Sequence, residues 1–450
     1  MRPPIAITLF EHQPRTYEEI GLSLDHPVIE QLDRLNAAAG CDLMILGRKT
    51  ITATQQVGII RAGNVTFEIL PKIDYDPLGQ SDDPIDSQTY THAAQSATRN
   101  LLFLLSYVFD LTIHEQEIAA LAKQHASWLE LLTRLFATDL HRQMQSGITH
   151  NYVRHEEILP VLRGRWNLGR QLMHRPYSIH QFDVTFDEFS PDHPLNQIFR
   201  FVVEQLLWQT QDPSSRALLL DLNEWLYPVH RHTQIPFTLV DQITFSRLTE
   251  RFGPAFNLAK LFLSGNTPQL SVGRDNLYAF VFDMNMLFER FITQFIICHR
   301  INILPEVWRN TLIRPQSQGV TCYLAHRFLD DRPAVLLRPD ILFTMSSTAK
   351  PWLIIDAKYK QLVSNRRSLN ISNNDVHQML AYVTRFDCSR AMLLYPNTAL
   401  SDRQRQHLVI DSNHSHLLIN TINLRQPLQD PRPLIGELRE IFQSLPLMDG

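Results

Sequence analysis

The sequence has little cysteine, no strong excess of charge and no long apolar run. Its four cysteines show no Cys-x-x-Cys pair and no zinc-binding spacing: Cys41, Cys298, Cys322 and Cys388. We therefore expect reduced, mostly buried thiols in a cytoplasmic protein. The most apolar stretch, residues 101–109, is too short to span a bilayer and is expected to form a core helix. No signal peptide is recognisable after Met1.

Neither the net charge nor a nucleotide-binding motif marks the chain for a particular partner. The 450 residues are 44% hydrophobic and 20% charged, with a formal net charge of −4, which describes an ordinary globular protein. No global basic field marks nucleic acid as a partner, so any such binding would use a local patch or a partner chain. The sequence contains no Gly-x-x-x-x-Gly-Lys-Ser/Thr loop, so we expect no nucleotide to be bound by that route.

Two aspartates and a lysine follow strand-forming segments in the last third of the chain. Pro339-Asp340 lies within one apolar segment, and residues 352–355 lead into Asp356-Ala357-Lys358. The polar stretch between them predicts a hairpin centred near Thr348, which sets position 340 opposite position 356. Because side chains two apart share a strand face, Asp356 and Lys358 point the same way. The pattern predicts two carboxylates and one ammonium at a single point.

Those residue types suit metal-dependent cleavage of a phosphodiester. Mg²⁺ prefers oxygen ligands and keeps several waters, so one or two carboxylates plus a substrate phosphate suffice. A lysine beside the metal can hold the attacking water or stabilise the charge that builds on phosphorus. The plain alternative is that Asp-x-Lys marks a solvated strand end, as short motifs often do.

Two predicted helices flank these strands. Residues 277–297 are predicted to form one helix, with Asp275 as a candidate N-cap and Glu289 inside an apolar stretch. The alternative for Glu289 is an exposed position beside Arg290. Downstream, Ser372 or Asn373 is predicted to cap a second helix, in which two polar side chains lie four residues apart on one face: Gln378 and Tyr382. A strand over 391–395, stopped by Pro396, completes the order.

That order of elements and residues resembles the PD-(D/E)xK nuclease superfamily, in the branch with a Gln-xxx-Tyr helix. The resemblance covers about 275–425 and is specific in combination. It implies an α/β core with a mixed sheet flanked by helices, and hydrolysis of DNA. It also implies roles: metal binding by Glu289, Asp340, Asp356 and the backbone carbonyl of Ala357, catalysis by these acids with Lys358, and DNA proximity for Gln378 and Tyr382.

The rest of the chain predicts two further regions. Residues 1–90 are mostly strand-like, with a hairpin signal at 62–64 and basic Arg48-Lys49 at another turn. Residues 91–270 are mainly helical, with a core stripe over 129–140, a strand over 182–189 and a helix from 195 to 208 that begins near Asp192. A nuclease domain over 271–450 follows, so the whole chain is expected to be α/β, or α+β overall.

The middle region also carries basic and acidic residues. Its arginines are irregularly spaced: Arg154, Arg163, Arg165, Arg170 and Arg175. They could contact phosphate, or form a solvated face or salt bridges between domains. The acids Asp183, Asp187 and Glu188 invite comparison with a second metal site, but strands often end in acidic turns, and we favour that interpretation.

Fragments along the whole chain are similar to the McrC family of the McrBC modification-dependent restriction systems. They run in family order through residues 67–73, 162–165, 186–192, 283–290 and the nuclease motif. The resemblance implies a DNA endonuclease subunit that uses Mg²⁺, with Mn²⁺ as an alternative. It also implies an McrB-like AAA+ GTPase hexamer as partner, double-stranded DNA modified at cytosine as substrate, and no membrane. The strand-rich first region, with Arg48 and Lys49, is the candidate docking element. Two alternatives stay open: an activator with a vestigial nuclease site, and a stand-alone repair nuclease.

Overall fold

The chain forms two compact units. The structure, a computed structural model, describes residues 5–23, 25–72, 87–114, 127–174, 177, 180–265, 277–345, 350–360, 362, 364–365, 368–369, 371–397, 405–410, 414–424 and 430–445. The first unit comprises Met1–Ala122 with Gln269–Gly450, and the second comprises Lys123–Pro268. The first unit thus draws together the ends of the chain that the sequence divides into separate regions. The functional division at 1–90, 91–270 and 271–450 stays a prediction.

The amino-terminal part of the first unit contains six strands and two helices. They are β1 Ile5–Phe10, β2 Pro14–Thr16, α1 Pro27–Ala39, β3 Met44–Leu46, β4 Thr50–Ala53, β5 Gln56–Ala62, β6 Val65–Leu70 and α2 Ser87–Phe109. The predicted hairpin at 62–64 is confirmed, because β5 pairs antiparallel with β6 and Gly63 takes the left-handed φ of +61° that the turn needs. β1 pairs parallel with β6, and β2, β4 and β3 form a separate small sheet.

Helix α1 lies within residues 1–90, which were expected to be mostly strand-like. It begins at Pro27, whose fixed φ suits a first helical position, after His26 Nδ1 accepts a hydrogen bond from the Val28 N–H. It ends at Gly40, which adopts the left-handed conformation typical of a helix terminus. Its buried face packs into the core under the first sheet. The proline and glycine signals were present in the sequence but were outweighed by the strand-like segments around them.

The second unit is mainly helical around a small sheet. Its elements are α3 Trp128–Met144, β7 Asn151–Leu159, β8 Arg165–Trp166, α4 Leu168–His174, β9 Phe182–Ser190, α5 Pro194–Gln209, α6 Pro213–Trp225, α7 Phe237–Asp241, a 3₁₀ turn Glu250–Phe252 and α8 Gly253–Gly265. The predicted core stripe is buried along α3: Leu129, Leu132, Phe136 and Leu140. β9 confirms the predicted strand and pairs with β7 and β8. Helix α5 confirms the predicted helix over 195–208 and extends it by one residue at each end, and its N-cap residue is His193.

The carboxy-terminal part of the first unit holds the mixed sheet. Its elements are β10 Leu277–Asp283, α9 Met284–Cys298, α10 Arg300–Ile303, a 3₁₀ turn Glu306–Trp308, β11 Leu312–Pro315, β12 Cys322–His326, β13 Pro333–Leu337, β14 Ile341–Thr344, β15 Pro351–Ala357, β16 Ser364–Asn365, β17 Ser368–Leu369, α11 Asn373–Arg385, β18 Arg390–Asn397, β19 Arg405–Ile410, β20 Ser415–Asn423 and α12 Arg432–Gln443. Six strands form one sheet in the order β11-β14-β15-β18-β20-β19. β15, β18 and β20 are parallel and the other pairings antiparallel, so the predicted α/β fold with a mixed sheet is confirmed.

The prediction of one helix over 277–297 is wrong at its start. Residues 277–283 form β10, which pairs antiparallel with β5 of the amino-terminal sheet. The approach is close: a Cβ on Gly58 of β5 would lie 2.0 Å from the Phe280 carbonyl oxygen, so only glycine fits there. Asp283 then caps α9 by accepting from the Asn285 and Met286 N–H groups. The candidate cap Asp275 lies outside the described residues.

Smaller corrections concern a strand end and the cysteines. β18 continues through Pro396 to Asn397, because the parallel register with β20 persists where a stop was predicted. All four cysteines are free, as expected, but of them only Cys388 is buried. Within the described ranges, none of the helices combines the length and apolar character that crossing a bilayer requires.

Candidate active site

The predicted pairing of the two aspartate-bearing strands is confirmed. β14 and β15 run antiparallel with Ile341 opposite Ile355, which sets Asp340 against Asp356 across the pair. The turn predicted near Thr348 lies outside the described residues. β15 is buried along its whole length between β14 and β18, so the second aspartate emerges from the interior of the sheet. The two carboxylates therefore lie in a setting that shields them from water.

Asp340 is held by the next strand. Its Oδ2 accepts a hydrogen bond of 2.7 Å from the Ala357 N–H, and the residue is only 8% exposed. Burial, followed by the charges of Asp356 and Glu289, raises the pKa of Asp340 to about 8, although the hydrogen bond from Ala357 opposes the shift. A proton on this carboxyl group, or a cation beside it, would therefore lower the electrostatic cost of burying it.

Asp356 is the most enclosed acid of the site. It is 1% exposed, and its Oδ2 lies 2.7 Å from Nζ of Lys358 as an ion pair. The other oxygen, Oδ1, is buried and has no hydrogen-bond partner among the described residues. Burial raises the pKa of Asp356, and the Lys358 ammonium opposes this. Buried carboxylate oxygens without donors are costly unless a ligand supplies the missing positive charge.

Lys358 supplies the positive charge within the site. Its backbone N–H donates to the Leu394 carbonyl of β18 at 2.8 Å, which fixes the chain just after β15. Burial disfavours the ammonium, but the carboxylates of Asp356, Asp340 and Glu289 outweigh burial and raise the pKa of Lys358. The side chain is therefore a cation at neutral pH and does not act as a base while these acids are ionised.

Glu289 approaches the same charges from helix α9. Its side chain is half-buried, whereas that of Arg290 is exposed. Burial raises the pKa of Glu289, and the nearby charges of Lys358 and Asp356 act on it in opposite directions. The carboxylate thus lies within electrostatic range of both residues, which favours a place in the site over the plain surface alternative. We call Glu289, Asp340, Asp356 and Lys358 the strand-end cluster.

Helix α11 contacts the approach to Asp340. Gln378 Nε2 donates to the Tyr382 hydroxyl at 2.8 Å, and that hydroxyl donates to the Arg338 carbonyl at 3.1 Å. Burial, then the charge of Asp356, raises the pKa of Tyr382, so the phenol stays protonated. The predicted pairing of the two side chains on one helix face is confirmed. Ser372 is the N-cap residue, although its side chain makes no capping hydrogen bond.

The donor set fits a hard divalent cation in type. No three His, Cys, Asp or Glu side chains in the described part of the chain stand close enough together to hold a metal ion as they are. The fit rests on the buried, unpartnered Oδ1 of Asp356 and on the neighbouring Asp340, whose carboxylate lies within electrostatic range of the half-buried Glu289. Oxygen-only ligands of this kind suit Mg²⁺ or Mn²⁺ and disfavour zinc. Their assignment as metal ligands stays a prediction.

Three residues missed by the sequence analysis support this site from behind. Asp375, buried in the first turn of α11, accepts from Lys360 Nζ at 2.9 and 3.2 Å. It also accepts from the Tyr395 hydroxyl at 2.9 Å. These contacts tie the helix to the ends of β15 and β18. The signal in sequence was the second lysine of Lys358-x-Lys360, but its buried partner could not be identified from spacing.

The sequence also predicted two basic segments elsewhere in the chain. Arg48 and Lys49 are exposed at the turn between β3 and β4. In the second unit, three of the five arginines form ion pairs on the face of the β7-β9-β8 sheet: Arg154 with Glu156, Arg163 with Glu188, and Arg170 with Glu156 and Asp183. Arg175 lies outside the described residues. The solvated-face alternative accounts for these three side chains.

Together, these features define a class: an α/β protein whose mixed sheet gathers carboxylates and one lysine at neighbouring strand ends. A family model described as "McrBC 5-methylcytosine restriction system component" matches residues 51–396. The match covers most of the chain, so the chain belongs to this family.

A solved structure agrees with the fold, and a second solved chain is similar to part of this chain. A chain of the Thermococcus gammatolerans assembly of McrB AAA+ hexamers with bound McrC is 21% identical, with a TM-score of 0.61, and the match covers 98% of this chain and 99% of that chain. A chain of the Thermococcus gammatolerans McrBC complex is 24% identical over 65% of this chain and 87% of that one, with a TM-score of 0.45. No curated protein matches the chain significantly.

Proposed function

We propose that this chain is the Mg²⁺-dependent DNA endonuclease subunit of a modification-dependent restriction complex. The observation that carries the proposal is the burial of Asp340 and Asp356 side by side, with Lys358 paired to the second. Burying two ionisable acids side by side lowers the stability of the fold, and perturbed acids of this kind concentrate at functional sites. Membership of a restriction-system family points to DNA as the substrate.

The metal ligands in this proposal are Glu289, Asp340, Asp356 and the carbonyl of Ala357. Mg²⁺ held there would neutralise phosphate charge and lower the pKa of a bound water; Mn²⁺ would serve the same chemistry. The Ala357 N–H, by donating to Asp340, fixes the orientation of that carboxylate. The same residue would thus orient one ligand through its N–H and offer another through its carbonyl.

Lys358 and helix α11 take the remaining roles. The Lys358 ammonium, paired with Asp356, would orient the attacking water and stabilise negative charge on the phosphorane. Gln378 and Tyr382, joined to the Arg338 carbonyl, are proposed to lie against the DNA backbone. Tyr382 would hold the approach to Asp340 in place, while the second amide proton of Gln378 would serve a phosphate oxygen.

The proposed partner is an McrB-like AAA+ GTPase hexamer. The solved assembly with the same fold contains McrB AAA+ hexamers with bound McrC. This chain lacks the Gly-x-x-x-x-Gly-Lys-Ser/Thr loop, so nucleotide hydrolysis would belong to the partner. The near-neutral charge also fits a subunit whose DNA, modified at cytosine, is delivered by another chain. Exposed Arg48 and Lys49 on the amino-terminal turn are the proposed contacts.

One reconstitution tests this function. The purified chain, an McrB-like partner, GTP, Mg²⁺ and plasmid carrying 5-methylcytosine should yield cut DNA, and EDTA should prevent it. Lys358→Ala should abolish cutting while partner binding and GTPase stimulation persist. Lys350→Ala is the matched control, because Lys350 forms an exposed ion pair with Asp387 at the other end of β15. Full cutting by Lys358→Ala would refute the assignment, and cutting without the partner would favour a stand-alone nuclease.

A further inference from the structure

A buried carboxylate just after β1 contacts the segment that follows β15 and carries Lys358. Glu11 is 3% exposed, and its Oε2 accepts from the Tyr359 hydroxyl at 2.9 Å and from the Lys72 N–H at 3.1 Å. Its other oxygen, Oε1, is buried and has no hydrogen-bond partner among the described residues. A half-satisfied buried carboxylate lowers the stability of the fold, so its presence calls for an explanation.

Tyr359 connects this carboxylate to both sides of the strand-end cluster. It follows Lys358 directly and is 4% exposed. Its ring lies 5.8 Å from the ring of Phe288, the residue before Glu289 on α9. The Lys72 Nζ lies 5.2 Å from the ring centroid, which adds a cation–π contact from the end of the β6 segment. One aromatic side chain thus touches elements that carry two members of the cluster.

We propose that Glu11 is a positioning residue for the nuclease site. Through its hydrogen bond to Tyr359, it holds Lys358 and Glu289 in fixed positions relative to each other. The positioning itself is argued from the contacts described above. Its role in DNA cleavage rests on the proposed function. The Lys358 backbone is fixed on one side by Leu394 of β18. The Glu11–Tyr359 hydrogen bond fixes the next residue on the other side, so the lysine is held from both directions.

This arrangement explains why amino-terminal residues belong to the same unit as the site. Lys72 closes the segment after β6, and its backbone and side chain meet Glu11 and Tyr359 respectively. β1 and β6 are paired throughout, so Glu11 and Lys72 are presented by one rigid pair of strands. The strand pair then acts as a fixed support for the chain segment that follows β15. A displacement of the reacting group by about 1 Å can lower a rate by roughly a hundredfold.

The test removes the hydroxyl while keeping the ring. Tyr359→Phe deletes the hydrogen bond to Glu11 but preserves the packing against Phe288. Glu11→Ala removes the other end, and the double variant completes a cycle. Tyr90→Phe is the matched control, because the Tyr90 hydroxyl donates to the Thr8 carbonyl of the same strand β1 at 2.7 Å. Each protein is measured, with its partner, for DNA cleavage, and alone for thermal unfolding and for amide hydrogen exchange over residues 357–360.

The expected result separates positioning from general stability. Tyr359→Phe should slow cleavage by roughly tenfold and speed amide exchange at 358–360, with an unfolding midpoint close to that of Tyr90→Phe. Tyr90→Phe should change neither cleavage nor exchange at these residues. The double variant should cleave DNA no more slowly than the slower of the two single variants, since Tyr359→Phe and Glu11→Ala delete the same Glu11–Tyr359 hydrogen bond.

Two results would overturn the inference. One is unchanged exchange at 358–360 in Tyr359→Phe, whatever the cleavage rate. The other is cleavage that falls only in proportion to stability, equally in Tyr359→Phe and Tyr90→Phe. If the wild-type chain does not cut DNA at all, the proposed function fails, while the exchange measurement still decides whether Glu11 holds Lys358 in place.

Discussion

The strand-end cluster of the mixed sheet and the arginine-bearing sheet of the second unit use the same residue types in opposite surroundings. In the cluster, two aspartates are at most 8% exposed and face one lysine. On the β7-β9-β8 sheet, Arg163 and Glu188 pair while both side chains remain largely exposed. Burial raises the pKa values of Asp340 and Asp356 in the first case. The comparison shows that a functional site is marked by environment and not by charge content.

The second sheet also explains why counting charged residues misleads. Arg163 lies over the Phe186 ring at 4.1 Å, so its side chain is accounted for by packing as well as by an ion pair. Exposed ion pairs of this kind contribute about 0–1 kcal/mol each, since water and salt screen them. Asp356, by contrast, is 1% exposed, and its Oδ1 has no hydrogen-bond partner among the described residues. A buried carboxylate with an unpartnered oxygen is therefore a better candidate for a metal ligand than a paired residue at the surface.

The largest expected effect comes from removing the most buried acid of the cluster. Asp356→Ala should lower DNA cleavage by at least about a hundredfold to a thousandfold, because a metal ligand and the partner of Lys358 are both removed. Asp183→Ala is the comparison variant, since Asp183 is also buried and pairs with Arg170 on the second sheet. It should retain cleavage within about threefold of wild type, because the ion pair it breaks is partly solvated. Equal losses of DNA cleavage in both variants would show that burial does not distinguish the strand-end cluster from the second sheet.

A large effect is also expected from pH in the absence of metal. The pKa of Asp340 is raised from 3.8 to about 8, so the folded state binds a proton more tightly than the unfolded state. The stabilisation is complete below about pH 4 and is lost as the pH rises through the folded-state pKa. The free energy of unfolding in EDTA should therefore fall across this window by on the order of a few kcal/mol.

Metal and a neutral variant sharpen this pH prediction. Millimolar Mg²⁺ should restore stability at about pH 8.5, since a ligand bound only by the folded state stabilises it by mass action. Asp340→Asn should flatten the dependence on pH in EDTA and abolish the response to Mg²⁺. Chemical unfolding at about pH 5.5 and about pH 8.5, with and without Mg²⁺, provides the measurement. A pH dependence identical in wild type and Asp340→Asn would show that protonation of Asp340 is not its cause.

Much of the mixed sheet was predictable because its signals are local. The register of β14 against β15 followed from two apolar segments separated by a turn, and Gln378 and Tyr382 followed from helical spacing. The start of the preceding helix was not predictable in this way. Residues 277–283 contain enough apolar side chains to form either a helix or a strand. They form a strand because they pair with β5, which is far away in the sequence.

Long-range contacts likewise hid the supporting residues. Glu11 and Tyr359 are 348 positions apart, so no spacing rule connects them. Lys360 and Asp375 are closer, but the intervening chain gives no sign that the acid is buried. Sequence patterns indicate which residue types are present and which face they share. Electrostatic environment is set by tertiary packing, which is why the ligand types could be predicted and their supports could not.

A moderate effect is expected from the helix that supports Asp340. Tyr382→Phe removes the hydroxyl that joins Gln378 to the Arg338 carbonyl, and cleavage should fall by roughly tenfold, because a displaced Asp340 holds the metal less well. Tyr17→Phe, which removes a hydroxyl that donates to the Gly47 carbonyl, is the control outside the cluster. The Mg²⁺ concentration for half-maximal cleavage should rise in Tyr382→Phe and stay constant in the control. An unchanged requirement for Mg²⁺ would place Tyr382 outside the support of the metal site.

The smallest effect is expected on the arginine-bearing sheet, and it addresses the phosphate alternative that the sequence left open. Arg170→Ala breaks pairs with Glu156 and Asp183, and the free energy of unfolding should fall by no more than about 1 kcal/mol, because the arginine is half exposed. Cleavage should stay within about twofold of wild type over the salt range in which the complex works. If Arg170 instead bound a phosphate of duplex DNA, the substitution would lower the slope of log affinity against log salt by about 0.9. A drop of that size, measured with the assembled complex, would show that the arginines bind DNA and that exposure alone does not separate a surface ion pair from a functional one.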